Sequence, residues 1–202
     1  MKIKKILYGD NDYGFFTDIN NKEIKKINTA DIKYYSWLTT GRFNNANNHC
    51  AATTSTNLDI FFTKLNYLSD NDIFDEHHDL IGNGPVLWFA NKTKKILKNK
   101  KINLKSKTYF FNKIERIKEN IDKGNISTLL LSEALFNWHW IICVGYVEMD
   151  NGETILIIVD NWHNKTRYYR PNIGSRFIST TSYFVAWNTL ITLQINKILL
   201  IF

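Results

Sequence analysis

Three features of the 202-residue sequence predict an α+β fold. Apolar residues recur at helical spacing in the first 124 residues. After Gly124 the segments become short, β-branched and aromatic, as strands are. Asp150-Asn151-Gly152 is strong hairpin chemistry between two of those strands. Helices first and a mostly antiparallel sheet afterwards put a cleft where the two layers meet. The expected organisation is one domain over residues 1–202, with a mainly helical lobe over 1–124 that also carries short N-terminal strands. A β-sheet lobe fills 125–202.

Element by element, KIKKILYG and YGFFTDIN read as short strands, with Gly9-Asp10-Asn11-Asp12 as turn chemistry between them. An Asn-rich loop follows. From Cys50 the apolar positions Leu58, Phe61, Phe62, Leu65 and Leu68 mark a helix to about Tyr67. Residues 69–84 read as an acidic loop, and Pro85 suits the first turn of a helix over 85–99. A strand near 107–111 and a helix over 112–123 follow, closed by Gly124. Then come ISTLLLS, HWIICVGYVEM, TILIIVDNW, TRYYRP, SYFVAW and TLQINKILLIF, all strand-like.

The composition narrows the function classes. Hydrophobic residues make up 44% of the chain and aromatics 14%, enough to pack a core, so global disorder is not expected. Two cysteines cannot make a disulfide framework. No stretch approaches the roughly 18 apolar residues of a membrane span. The basic N-terminal start has too short an apolar run for a signal peptide, leaving a cytoplasmic chain or one exported with a signal absent from this sequence. The net charge of +7 is uneven: residues 92–118 hold eleven Lys/Arg and one acid, Glu115. That segment suits an anionic partner or is simply a solvated helix and loop. Lysine dominates it without an aromatic-interleaved motif, so nucleic acid is not expected.

Cys50 opens a predicted helix, where unpaired N–H groups and the macrodipole favour an anion. A depressed thiol pKa is the expectation there, with Ala51 and Ala52 leaving room around the sulfur. His139 is the polar intruder at the start of an apolar strand. Asp160 ends the next strand, in the same half of the hairpin, and bringing the pair together needs a bulge or an asymmetric loop. A carboxylate beside the imidazole would fix its tautomer and stabilise the imidazolium. Cys143, mid-strand among Ile141, Ile142 and Val144, reads as a buried, inert thiol. His77 and His78 lie within FDEHHD beside Asp75 and Asp79, but adjacent loop histidines do not make a metal set.

Three segments carry a resemblance: NNHCAATT opening a helix, HWIICVGY with glycine six residues after the histidine, and ILIIVDNW. They resemble the nucleophile, histidine and third-residue segments of the papain-like cysteine peptidase superfamily. The branch most resembled is the group related to bacterial double-glycine leader peptidases, in which the third residue is aspartate. The resemblance spans roughly residues 40 to 165. It implies a papain-like fold and a hydrolase cleaving a peptide or amide bond through an acyl-enzyme. Cys50 is then the nucleophile, His139 the general base and acid, and Asp160 the orienting residue, with Asn161 as the competing choice. Trp162 would shield the His–Asp bond from water. The family's oxyanion glutamine falls on Asn44, whose amide is a donor of shorter reach. The resemblance implies a peptide or protein substrate and no cofactor or metal. Acyl transfer and a catalytically degenerate binding module are the alternative readings.

Overall fold

The structure is a computed structural model. It describes residues 14–19, 21–32, 36–43, 48–63, 70–84, 86–110, 114–134, 137–171 and 176–185. Among these residues it is α+β, with four helices and an eight-stranded antiparallel sheet. The helices are α1 (Cys50–Thr63), α2 (Asp70–Ile81), α3 (Phe89–Asn99) and α4 (Ile114–Asp122). The strands are β1 (Phe15–Phe16), β2 (Ile24–Thr29), β3 (Leu104–Phe110), β4 (Ile126–Ala134), β5 (Asn137–Met149), β6 (Thr154–Val159), β7 (Arg167–Tyr169) and β8 (Arg176–Val185). Their order in the sheet is β1-β7-β6-β5-β4-β8-β3, and β2 pairs with β5 off this path.

The expected hairpin joins β5 to β6. Gly152 takes a left-handed φ of +83° and the Glu153 N–H donates to Asn151 Oδ1 at 2.9 Å. The register runs Ile142 opposite Val159 and Cys143 opposite Ile158, then shifts so that Gly145 faces Ile157. This bulge lets Val144 and Val147, three residues apart, both face the layer under α1–α3. Glycine is required at its centre, because a Cβ on Gly145 would meet the Asn28 carbonyl at 2.7 Å.

The sheet is covered on both faces. Leu58, Phe61, Leu97, Trp140, Ile142 and Val159 fill the layer between it and α1–α3. On the other face Ile117 and Ile121 of α4 pack with Phe15, Leu129, Leu131, Ile141 and Leu156. Burial of this apolar surface drives the assembly. A division at residue 124 is not respected by the sheet, since β1, β2 and β3 come from the first part of the chain and join strands of the second.

Helix α1 is buried along its whole length although half its residues are polar. Each hydroxyl must therefore find a partner. Thr53 and Thr56 bond back to the carbonyls of His49 and Ala52. Thr54 reaches the Trp140 carbonyl at 3.3 Å, and Asn57 bonds both backbone groups of Leu38.

Two expectations need correction. Residues 70–81, read as an acidic loop, form helix α2, because Ile73, Phe74, His77 and Ile81 supply a buried stripe beneath the charges. Helix α3 starts at Phe89 rather than at 85. KIKKILYG, TLQINKILLIF and Pro85 lie outside the described residues. No helix among those described is long and apolar enough to cross a membrane.

Candidate active site

The first turn of α1 presents Cys50 to β5. The Thr53 N–H bonds the His49 carbonyl at 2.9 Å, and His49 Nε2 donates to the Thr40 carbonyl at 2.8 Å, fixing the entry of the chain. The thiol is buried at 8% exposure. Burial pushes its pKa up, while backbone hydrogen bonds from Trp140, Ala51 and Cys50 itself pull it down. The net direction is upward, which corrects the expectation of a depressed thiol. Helix-start donors are present, yet removal from water outweighs them.

His139 stands opposite Leu131 of β4, so its side chain shares the α4 face of the sheet. Its Nε2 lies 2.6 Å from the backbone carbonyl of Asp160. A carbonyl oxygen only accepts, so Nε2 carries the proton and Nδ1 keeps the lone pair. The Trp162 ring lies flat on the imidazole, with centroids 3.9 Å apart and planes within 5°. Burial lowers the His139 pKa to about 4, although the carbonyl and the charge of Asp160 both raise it. The imidazole is therefore neutral at pH 7.

Asp160 is the partner of His139, but through its main chain. The fully buried carboxylate faces its own loop instead. It accepts from the N–H groups of Trp162 and His163 at 3.0 and 2.9 Å, from His163 Nδ1 at 2.8 Å and from Arg167 at 3.0 Å. The expected carboxylate–imidazole hydrogen bond is thus replaced by a carbonyl–imidazole one. An aspartate following a strand folds its carboxylate back onto the next two N–H groups, and that local turn wins. Asn161 makes no hydrogen bond to His139 among the described residues; its amide ties α1 to β5.

Cys50 and His139 belong to opposite layers at the same end of β5: Cys50 packs with Trp140 on the α1 side, and His139 shares the α4 side with Leu131 and Trp162. The backbone of Trp140, the residue that follows His139, is among the groups that lower the Cys50 pKa against the effect of burial. No hydrogen bond joins the sulfur to the imidazole among the described residues. Asn44 lies outside the described residues. Cys143 is fully buried, its S–H donates to the Gly145 carbonyl at 3.2 Å, and burial pushes its pKa up to about 12.

A second polar constellation was not legible as a site. Ser55 Oγ lies 2.7 Å from His77 Nδ1, and His77 Nε2 lies 2.9 Å from Asp59 Oδ2. Thr93 Oγ1 bonds Ser55 at 2.9 Å, Lys100 bonds Asp59, and Lys100 pairs with Glu76 at 2.8 Å. The available signal was Ser55 and Asp59 one turn apart on an otherwise sealed helix. Among the described residues no group of three or more His, Cys, Asp or Glu gathers to hold a metal ion.

Part of the basic segment is spent internally. Lys118 pairs with Glu148 and Glu115, Arg116 with Glu119, and Lys92 with the Ile81 carbonyl. Lys95, Lys98, Lys101, Lys105 and Lys107 are exposed. The sequence matches no family model, and no curated protein matches it.

Proposed function

We propose that this chain is a papain-like cysteine hydrolase that cleaves a peptide or amide bond. One observation carries the reading. A cysteine opens the buried helix that packs on β5 at Trp140, and the residue before Trp140 is a neutral His139 whose Nε2 proton is committed to Asp160. Nδ1 keeps the lone pair that a general base needs.

The chemistry follows from those protonation states. The resting pair is thiol and neutral imidazole, not an ion pair. The Cys50 sulfur and His139 Nδ1, which belong to opposite layers at rest, must come together when substrate binds; the thiol proton then passes to Nδ1 as the sulfur bonds the substrate carbonyl carbon. The Cys50 and Ala51 N–H groups at the helix start stand ready for the developing oxyanion. The imidazolium, steadied by the Asp160 carbonyl and charge, returns the proton to the departing amine. Water, deprotonated by His139, then hydrolyses the thioester and releases the acid. The substrate is a peptide or protein, and the exposed lysines of 95–107 favour an acidic one.

A degenerate papain fold that only binds is the second reading, favoured by the raised thiol pKa and by the lack of a sulfur–imidazole hydrogen bond among the described residues. Labelling with an epoxide or iodoacetamide at pH 7 separates the two. The hydrolase reading expects Cys50 to be modified while Cys143 is not, at a rate that falls in His139→Ala. Labelling of Cys50 that is indifferent to His139 favours the binding module.

A further inference from the structure

We infer that Asn161 is a positioning residue of the reaction, setting the nucleophile helix against the histidine strand; this rests on the hydrolase reading. Asn161 is fully buried and holds a left-handed φ of +62°, a conformation in which asparagine is one of the few tolerated residues. Its side chain faces α1, on the side of the sheet away from the His139 ring. Nδ2 donates to Thr54 Oγ1 at 2.7 Å and to the Trp140 carbonyl at 2.8 Å. Oδ1 accepts from Asn57 Nδ2 at 3.0 Å. Its carbonyl accepts the Thr40 N–H at 2.7 Å and the Thr40 hydroxyl at 3.1 Å. The Thr40 carbonyl in turn holds His49, the residue before Cys50.

The side chain thus ties α1 to β5, and the carbonyl ties in the Thr40 turn that holds His49. Thr54 and Asn57 are one and two turns along α1 from Cys50. Trp140 presents its carbonyl both to Asn161 and to Thr54 of α1. The neighbour on the other side, Asp160, orients the imidazole. Residues 160 and 161 therefore divide the work, the first holding the base and the second holding the nucleophile helix to the same strand.

This link is tested by the rate at which iodoacetamide alkylates Cys50, read by peptide mass spectrometry on the folded full chain. In the otherwise native protein, Asn161→Gly, which keeps the backbone conformation accessible, is expected to slow alkylation at pH 7 about tenfold or more, since a displacement near 1 Å can cost that much. In the His139→Ala background the same change should alter the rate less than about twofold, because the geometry it protects no longer matters. Should Asn161→Gly fail to fold, Thr54→Val removes one acceptor and should show the same dependence on His139 with a smaller slowing. Asn120→Ala is the stability control: its Nδ2 staples α4 to the Ile126 carbonyl at 2.8 Å, far from the thiol. Equal slowing in both backgrounds, or none in either, overturns the positioning role. Alkylation that His139→Ala leaves unchanged overturns the hydrolase reading and this one together, whereas a His139-dependent rate untouched by Asn161→Gly overturns this one alone.

Discussion

His77 and His139 are both buried and both held through Nε2, yet the better connected of the two is not the better candidate for chemistry. His77 has a hydroxyl on one nitrogen and a carboxylate on the other, the wiring of a nucleophile–base–acid relay. It is sealed among three helices, and its hydroxyl is already shared with Thr93. His139 has only a carbonyl and a tryptophan face, but the residue that follows it, Trp140, meets the helix that Cys50 opens. Hydrogen-bond order is thus a poor guide to catalysis. A relay whose hydroxyl is already shared with a neighbour is a fastening.

The sharpest way to break this contrast is to remove each ring. His139→Ala should lower turnover by about 10²–10⁴-fold, the worth of a positioned general base, with the fold retained. His77→Ala should leave Cys50 labelling within about twofold and lower the unfolding midpoint instead. Labelling rates and thermal melts on both variants check the pair. Should His77→Ala abolish labelling while His139→Ala does not, the roles are reversed.

Next in size is the fastening itself. Burial alone raises the Asp59 carboxyl, but hydrogen bonds from His77 and Lys100 outweigh it and hold its pKa below the usual range. Asp59→Ala strips a buried pair of its anion, so a loss of about 3 kcal/mol in urea unfolding is expected. A loss well under 1 kcal/mol would show the cluster to be incidental.

Acid should separate the two regions by pH. The His139 pKa falls from an unfolded value near 6.5 to about 4 in the fold. Between those values the unfolded chain binds more protons, so stability is whole above pH 6.5 and declines as pH falls toward 4. The loss by pH 4.5 is about 2–3 kcal/mol, and His139→Gln should flatten it. The Asp59 contribution is lost only at lower pH, below the ordinary carboxylate value, as its depressed pKa is crossed. Denaturant titrations at pH 7, 4.5 and 3 resolve both steps.

The smallest effect is at Asp160. Substitution leaves the carbonyl that orients His139, so Asp160→Asn should cost less than tenfold in rate. Asp160→Ala also loses the acceptor for the Trp162 and His163 N–H groups and should cost more. A loss in Asp160→Asn as deep as that in His139→Ala would mean that the carboxylate itself contacts the imidazole during turnover.

Much of this was legible in the sequence because it is local. The hairpin at Asp150-Asn151-Gly152, a cysteine opening a helix, and the closeness of His139 and Asp160 all follow from short-range pattern. What was hidden depends on distant partners. The stripe of α2 was masked by its Asp and Glu residues, and β2 pairs with a strand from the far half of the chain. Which oxygen of Asp160 meets the imidazole is decided by a turn no wider than three residues. The sign of the Cys50 shift depends on how much protein covers the sulfur, and no spacing rule contains that.

The cover over Cys50 also has a history in time. Cys50 precedes His139 by 89 positions, and Lys26 meets Tyr146 across 120. Contacts between such distant segments form late and slowly. A chain emerging from the ribosome therefore carries α1 long before β5 exists to lie against it. During that interval the sulfur is an ordinary exposed thiol, open to oxidants and to mixed disulfides. The burial that holds the thiol protonated in the fold is also its protection, and it arrives only when the second half of the sheet has closed.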